Sequence, residues 1–311
     1  MTSTLSGIDG RNPCGFFAAL GTQRLLADHL GDDAVQLAWT AGEAGTLRPV
    51  LSLAGERDDD DVVRLVLAAH EARDLEAELG WESDVMKLSC ERVRDLLISS
   101  PDPRAAQTIG GCVLDVPRRR QGRVHPDYLA VYTPLRLIPR MGRARFVSTS
   151  LSASQSLTSE RQVRAALFGP WRYEKVNSMR WDPGAPPSLR AYSAEAPTNF
   201  GPLGVPAAVA LAVAGLCYFP LVATSDGRAA CRGFDSPRAS VLRWPLWRQP
   251  LDESAVRITL GLPAIYEAKP NNDLLARHGI LARISARREQ LGNDDQVLSW
   301  GETHLVSTGA R

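Results

Sequence analysis

The chain has 311 residues, 44% of them hydrophobic and 23% charged, with a formal net charge of +1. That balance belongs to a soluble globular protein with room for one large domain or two ordinary ones. It excludes a global pull toward nucleic acid, so any such attraction has to come from local clustering.

Asn12 and Pro13 form an N-cap and first-position pair. From Phe16, the apolar residues Phe17, Leu20, Leu25 and Leu26 recur at helical spacing as far as Leu30. Val35 to Thr40 and Leu47 to Leu53 alternate as two strands of a hairpin around a turn with two glycines. The acidic run Asp58 to Asp61 suits the start of a helix from Val62 to Leu79, with a magnesium site as the competing reading. A further helix is predicted from Asp84 to Ile98. Residues 101–127 read as an Arg/Pro-rich loop. Ser148 to Ser159 reads as a Ser/Thr-rich linker or the approach to a short helix capped by Ser159 and ending at Gly169-Pro170. Leu203 to Ala223 reads as a buried helix and a core strand, with a membrane span as the rival that Pro206 and Pro220 disfavour. Short β-like pieces follow, rich in Trp and Pro. A helix-like run covers Leu251 to Leu260. A final helix is expected from Leu274 to Leu291, then a polar tail.

Lysine stands only at 87, 175 and 269, so 33 of the 36 basic residues are arginine. A GC-rich genome explains an arginine excess everywhere; a phosphate-binding role explains it only where it clusters. It does cluster. Between Arg104 and Arg145 lie nine arginines, at 104, 118, 119, 120, 123, 136, 140, 143 and 145, against Asp115 and Asp127. Phosphate backbones attract such patches by charge and counterion release. The candidate nucleic-acid-binding residues are therefore Arg118, Arg119, Arg120, Arg123, Arg136, Arg140, Arg143 and Arg145. An acidic protein partner, or an internally paired or solvated strip, accounts for the same charge. Trp171, Tyr173, Trp181, Trp244 and Trp247 are either core residues or base-stacking platforms.

Sequence signals for catalysis are missing. There is no G-x-S-x-G elbow, no phosphate-cradling glycine loop and no H-E-x-x-H pair. His125-Pro126-Asp127 reads as a turn. Cys14, Cys90, Cys112, Cys217 and Cys231 are odd in number and widely spread, which argues against a disulfide framework or a structural zinc site and for a reducing cytoplasm. Met1 to Ser6 show no signal-peptide pattern. The expectation is a non-enzyme with no cofactor and no metal, the alternative being a metal-dependent nuclease built from scattered carboxylates.

Three blocks also carry a resemblance. Gly7 to Pro13, Gly15 to Gly21 and the Trp39 hairpin with Arg48 to Leu51 resemble the N-terminus of small type I-G (formerly I-U) CRISPR-associated proteins and of Cascade large-subunit-like proteins. Ala165 to Tyr173 with Met179 to Pro183 is similar to a second block of a family described as an extension of the CRISPR helicase-nuclease. Phe219 to Leu221 and Trp244 to Trp247 fall in the order of its third. Arg140 to Phe146 and Gly201 to Val209 depart from the pattern. The resemblance implies an accessory subunit of type I interference, partnered by the effector complex or the helicase-nuclease; the arginine cluster adds DNA or RNA backbone as a further ligand, and the prolines within 203–223 speak against a membrane. No catalytic residue is carried over.

The fold class expected is α+β. Residues 1–100 form a helix, hairpin and further helices, the loop 101–127 follows, residues 128–265 form a second mixed unit, and 266–311 form a C-terminal helix and tail.

Overall fold

The structure is a computed structural model. It describes residues 2–81, 89–100, 102–120, 123–137, 146–176, 178–185, 203–224, 228–234, 240–291 and 295–306, with 117–120, 123–127, 129, 291 and 295 described through their backbone. The class is α+β, as expected: helices combined with several small antiparallel sheets.

Strand β1 (Thr2–Thr4) leads to helix α1 (Pro13–Leu30). Asn12 Oδ1 accepts from the amides of Cys14 and Gly15, and Pro13 occupies the first turn. Strands β2 (Val35–Ala41) and β3 (Leu47–Leu53) form the predicted hairpin, and β1 adds to its far side. Along β3 buried and half-buried residues alternate, as period two demands.

Helix α2 (Asp59–Glu71) opens with a capping box: Asp61 N donates to Asp58 Oδ1 at 2.7 Å, and Asp58 N to Asp61 Oδ2 at 3.0 Å. The acidic run is thus a helix start. The helix expected to reach Leu79 breaks after Glu71, and α3 (Leu75–Leu79) restarts under an Asp74 cap. Next come α4 (Cys90–Ser99) and α5 (Pro103–Cys112).

The described residues between 102 and 127 form a helix and two strands rather than a loop. Asp102 caps α5, with Pro103 in its first turn, the same signature that starts α1. Without a break the chain enters β4 (Val113–Arg120), which pairs with β5 (Arg123–Tyr132). His125-Pro126-Asp127 lies inside β5 rather than in a turn. Most of the Ser/Thr-rich segment is helix α6 (Phe146–Gln155); Ser150 within it and Ser156 just beyond it donate their hydroxyls to backbone carbonyls. Helix α7 (Glu160–Phe168) follows, without a side-chain cap from Ser159.

Strands β6 (Glu174–Lys175) and β7 (Leu203–Gly204) pair. Helix α8 (Pro206–Ala214) is buried on every side. A 3-10 turn (Gly215–Tyr218) leads to β8 (Leu221–Ala223), which pairs with β9 (Ala229–Cys231). No helix among the described residues is long and apolar enough to cross a membrane. The last part comprises β10 (Val241–Trp247), α9 (Glu253–Leu260), α10 (Asn272–Arg277), β11 (Ile280–Leu291), β12 (Asp295–Leu298) and β13 (Glu302–Leu305). The expected helix from Leu274 to Leu291 is overturned. Gly279, at φ 72°, ends α10, and Ile280, Ala282, Ile284 and Ala286 then bury alternate positions of β11 between β10 and β13.

Helix α1 is the axis of the core. All its residues from Pro13 to Ala27 are buried, although its sequence predicts a single apolar stripe. It lies backbone to backbone against α8. A Cβ on Gly21 would stand 1.8 Å from the Leu211 carbonyl oxygen, and one on Gly215 2.4 Å from that of Phe17. Gly21 of α1 thus serves the close approach of helix α8. Around this axis the resembling blocks meet in one aromatic cluster. Phe16 stacks on Trp244 at 5.4 Å, and Phe17 meets Trp181 at 5.5 Å and Phe219 at 5.0 Å.

Candidate functional site

The β4–β5 hairpin carries the arginine cluster, and its two ends differ. At the base, Val113 and Val116 are buried, Val113 is opposite Tyr132, and Thr133 N donates to the Cys112 carbonyl at 2.9 Å. At the closing end, Arg119 faces Val124 and Arg120 faces Arg123, beyond a register shift between Pro117 and Arg119 that takes in Arg118. Four candidate arginines thus share the closing end of the ladder. Arg136 follows the base, its guanidinium 4.7 Å from the Tyr132 ring centroid. Arg140, Arg143 and Arg145 lie outside the described residues.

Two members of the charge excess are used inside the molecule. Arg104 Nη1 and Nη2 donate to the two oxygens of Glu253 at 2.6 and 3.0 Å, and the same guanidinium pairs with Asp28. Asp115 accepts from Arg94 Nε at 2.6 Å.

Three of the four tryptophans in question are core residues. Trp181, Trp244 and Trp247 are fully buried, and their indole N–H groups donate to the carbonyls of Leu135, Gly10 and Leu37. Trp171 and Tyr173 are half-buried, and Trp171 Nε1 donates to the Ala166 carbonyl. The exposed ring on the hairpin is Tyr128, with Arg94 stacked over it at 4.2 Å. Sequence reading passes over this pair, because nothing in a one-dimensional string brings position 94 beside 115 and 128.

Buried charges form two clusters, linked through Asp28, which pairs with both Arg24 and Arg104. In the first, Glu78 accepts from Arg73, from Thr108 and from Arg24, which is 1% exposed. Burial by itself would push the Glu78 carboxyl up, but hydrogen bonding and charge from Arg73, then Arg24 and Thr108, hold it at about 2. Neighbouring His70 is pushed down to about 4, by burial first and by Arg73 second, and its Nε2 lies 3.0 Å from the Ser154 carbonyl. In the second cluster, Glu253 is held by Arg104 and Arg257, and Arg257 covers the Tyr218 ring at 4.6 Å. Burial raises Glu253, while both arginines bring it down on balance. These clusters tie α1, α3, α5 and α9 together; their carboxylates are neutralised in place.

Asp182 is a separate case. Burial raises its carboxyl despite hydrogen bonds from Asn12 Nδ2 at 2.8 Å and Gly184 N at 2.9 Å. It holds the cap of α1, joining the second block of the resemblance to the first. All five cysteines are free thiols, and Cys14, Cys112, Cys217 and Cys231 are buried. Among the described residues no group of three or more His, Cys, Asp or Glu is placed to hold a metal ion.

Compared with models of protein families, with curated proteins and with solved structures, the chain matches none.

Proposed function

We propose that the protein is a non-catalytic, cytoplasmic accessory subunit of a type I CRISPR interference system, gripping nucleic-acid backbone through the β4–β5 hairpin. The observation that carries the binding half is the placement of Arg118, Arg119, Arg120 and Arg123 at the end of a two-stranded ladder whose base is fixed in the core. Guanidinium groups on such an arm suit phosphate, and this contact reads charge rather than sequence. The CRISPR half, with the effector complex or the helicase-nuclease as partner, rests on the three resembling blocks, which are fold determinants meeting in one aromatic cluster.

The test is binding of the full chain to single-stranded and duplex oligonucleotides at two salt concentrations, beside the protein with all four hairpin arginines replaced by alanine. Binding that weakens at least tenfold in the variant supports the reading; failure of the wild type to bind either oligonucleotide ends its nucleic-acid half. Co-purification with the type I effector proteins of the same genome tests the other half, and its absence ends it.

A further inference from the structure

We infer that Tyr128 and Arg94 form a base-stacking platform, and that the hairpin's ligand is a single strand of nucleic acid rather than a duplex. This rests on the nucleic-acid reading of the hairpin and specifies its substrate.

The platform is built in layers from three elements. Asp115, on β4, accepts from Arg94 Nε at 2.6 Å and is largely shielded from solvent, with a side chain 15% exposed. That bond fixes the guanidinium of α4 above Tyr128 of β5, 4.2 Å from the ring centroid. Tyr128 is nevertheless 45% exposed. An aromatic ring and a planar cation are thus held in order at the surface before any ligand arrives. Stability gains little from the arrangement, because the guanidinium is 42% exposed and solvent screens such a pair. Preorganisation does matter for binding, since side chains already ordered lose less freedom when a ligand docks.

The chemistry selects the ligand. Arginine planes and tyrosine rings stack on nucleobases, but a base within a duplex already has neighbours on both faces. An unpaired base has a face to offer. Tyr128 is opposite Pro117 in the ladder, and the arginine run begins at the next residue, so base and phosphate contacts share one hairpin. The pairing recurs along the strand. Tyr132 lies four residues on, on the same face, with the Arg136 guanidinium 4.7 Å from its ring. At a rise of about 3.4 Å per residue, the two tyrosines are roughly 14 Å apart along β5.

The test uses the full chain with oligo-dT, oligo-U and a duplex of equal length. A single strand of either sugar should bind at least tenfold more tightly than the duplex. Tyr128→Ala should weaken single-strand binding by about tenfold, with Tyr128→Phe close to wild type and duplex binding unchanged. Irradiating wild-type protein on 5-iodouracil-substituted strands should cross-link the peptide containing Tyr128, a readout that needs no variant to fold. Duplex binding as tight as single-strand binding, with cross-links elsewhere and no effect of Tyr128→Ala, overturns the inference but spares the hairpin reading. No binding of any oligonucleotide overturns both.

Discussion

Arg104 and Glu253 are joined by two hydrogen bonds, Nη1 to Oε1 at 2.6 Å and Nη2 to Oε2 at 3.0 Å, across 149 residues of sequence. Arg104 lies in the first turn of α5, the helix that runs directly into β4, and Glu253 opens α9. The arginine hairpin is therefore anchored to the C-terminal half by a salt bridge at the foot of its supporting helix.

Removing the carboxylate should be costly. Glu253 is 4% exposed and neutralises both Arg104 and Arg257. Glu253→Ala leaves two guanidinium groups without it and should destabilise the fold by ~3–5 kcal/mol, read as a lower urea midpoint. Arg104→Ala should cost less, because its side chain is 32% exposed.

Acid should unfold the protein in two overlapping stages. His70 falls from an ordinary 6.5 to about 4 in the fold, so protons favour the unfolded chain and stability declines as pH drops from 6.5 toward 4. Glu78 falls from 4.5 to about 2, so its contribution is complete above 4.5 and is lost as pH descends toward 2. Each stage is on the order of 3 kcal/mol. His70→Gln should flatten the upper stage and leave the lower one, in chemical-denaturation curves recorded across pH.

Two glycines should respond in opposite directions to alanine. Gly21→Ala drives a methyl group into the Leu211 carbonyl and should destabilise by about 3 kcal/mol or more, through separation of α1 from α8. Gly110, in α5, has Leu97 Cδ2 as its nearest neighbour at 3.9 Å. Gly110→Ala should raise stability by about 0.5–1 kcal/mol by removing backbone freedom from the unfolded chain. Melting temperatures of the two variants give the comparison.

Salt dependence should report how many hairpin arginines touch phosphate. If Arg118, Arg119, Arg120 and Arg123 each neutralise one, replacing all four should reduce the slope of log affinity against log salt by about 3 on a single strand. A slope unchanged by the replacement places the phosphate contacts elsewhere.

The α+β class, helix α1 with its Asn12-Pro13 start, the β2–β3 hairpin and the capped start of α2 were all legible in the sequence, because each depends on contacts within a few residues. The errors had local causes too. Asp102-Pro103 is a helix start hidden in a Pro- and Gly-rich stretch, and Ile280, Ala282, Ile284 and Ala286 have the period of a strand rather than of the expected helix. The arginine cluster was visible as composition, but its division was not: tertiary contacts send Arg104 inward and place Arg118 to Arg123 at the end of a ladder.

Sequence alone determined where α1, β2, β3 and α2 start, since capping, proline geometry and hydrophobic period act over one or two turns. Tertiary structure alone decided that α1 is encased on all sides, that Arg24 and Glu78 are paired in the interior, and that Asp115, Arg94 and Tyr128 stand in one stack. Charge pairing and stacking act across space between residues far apart in the chain, and only the folded backbone sets those distances.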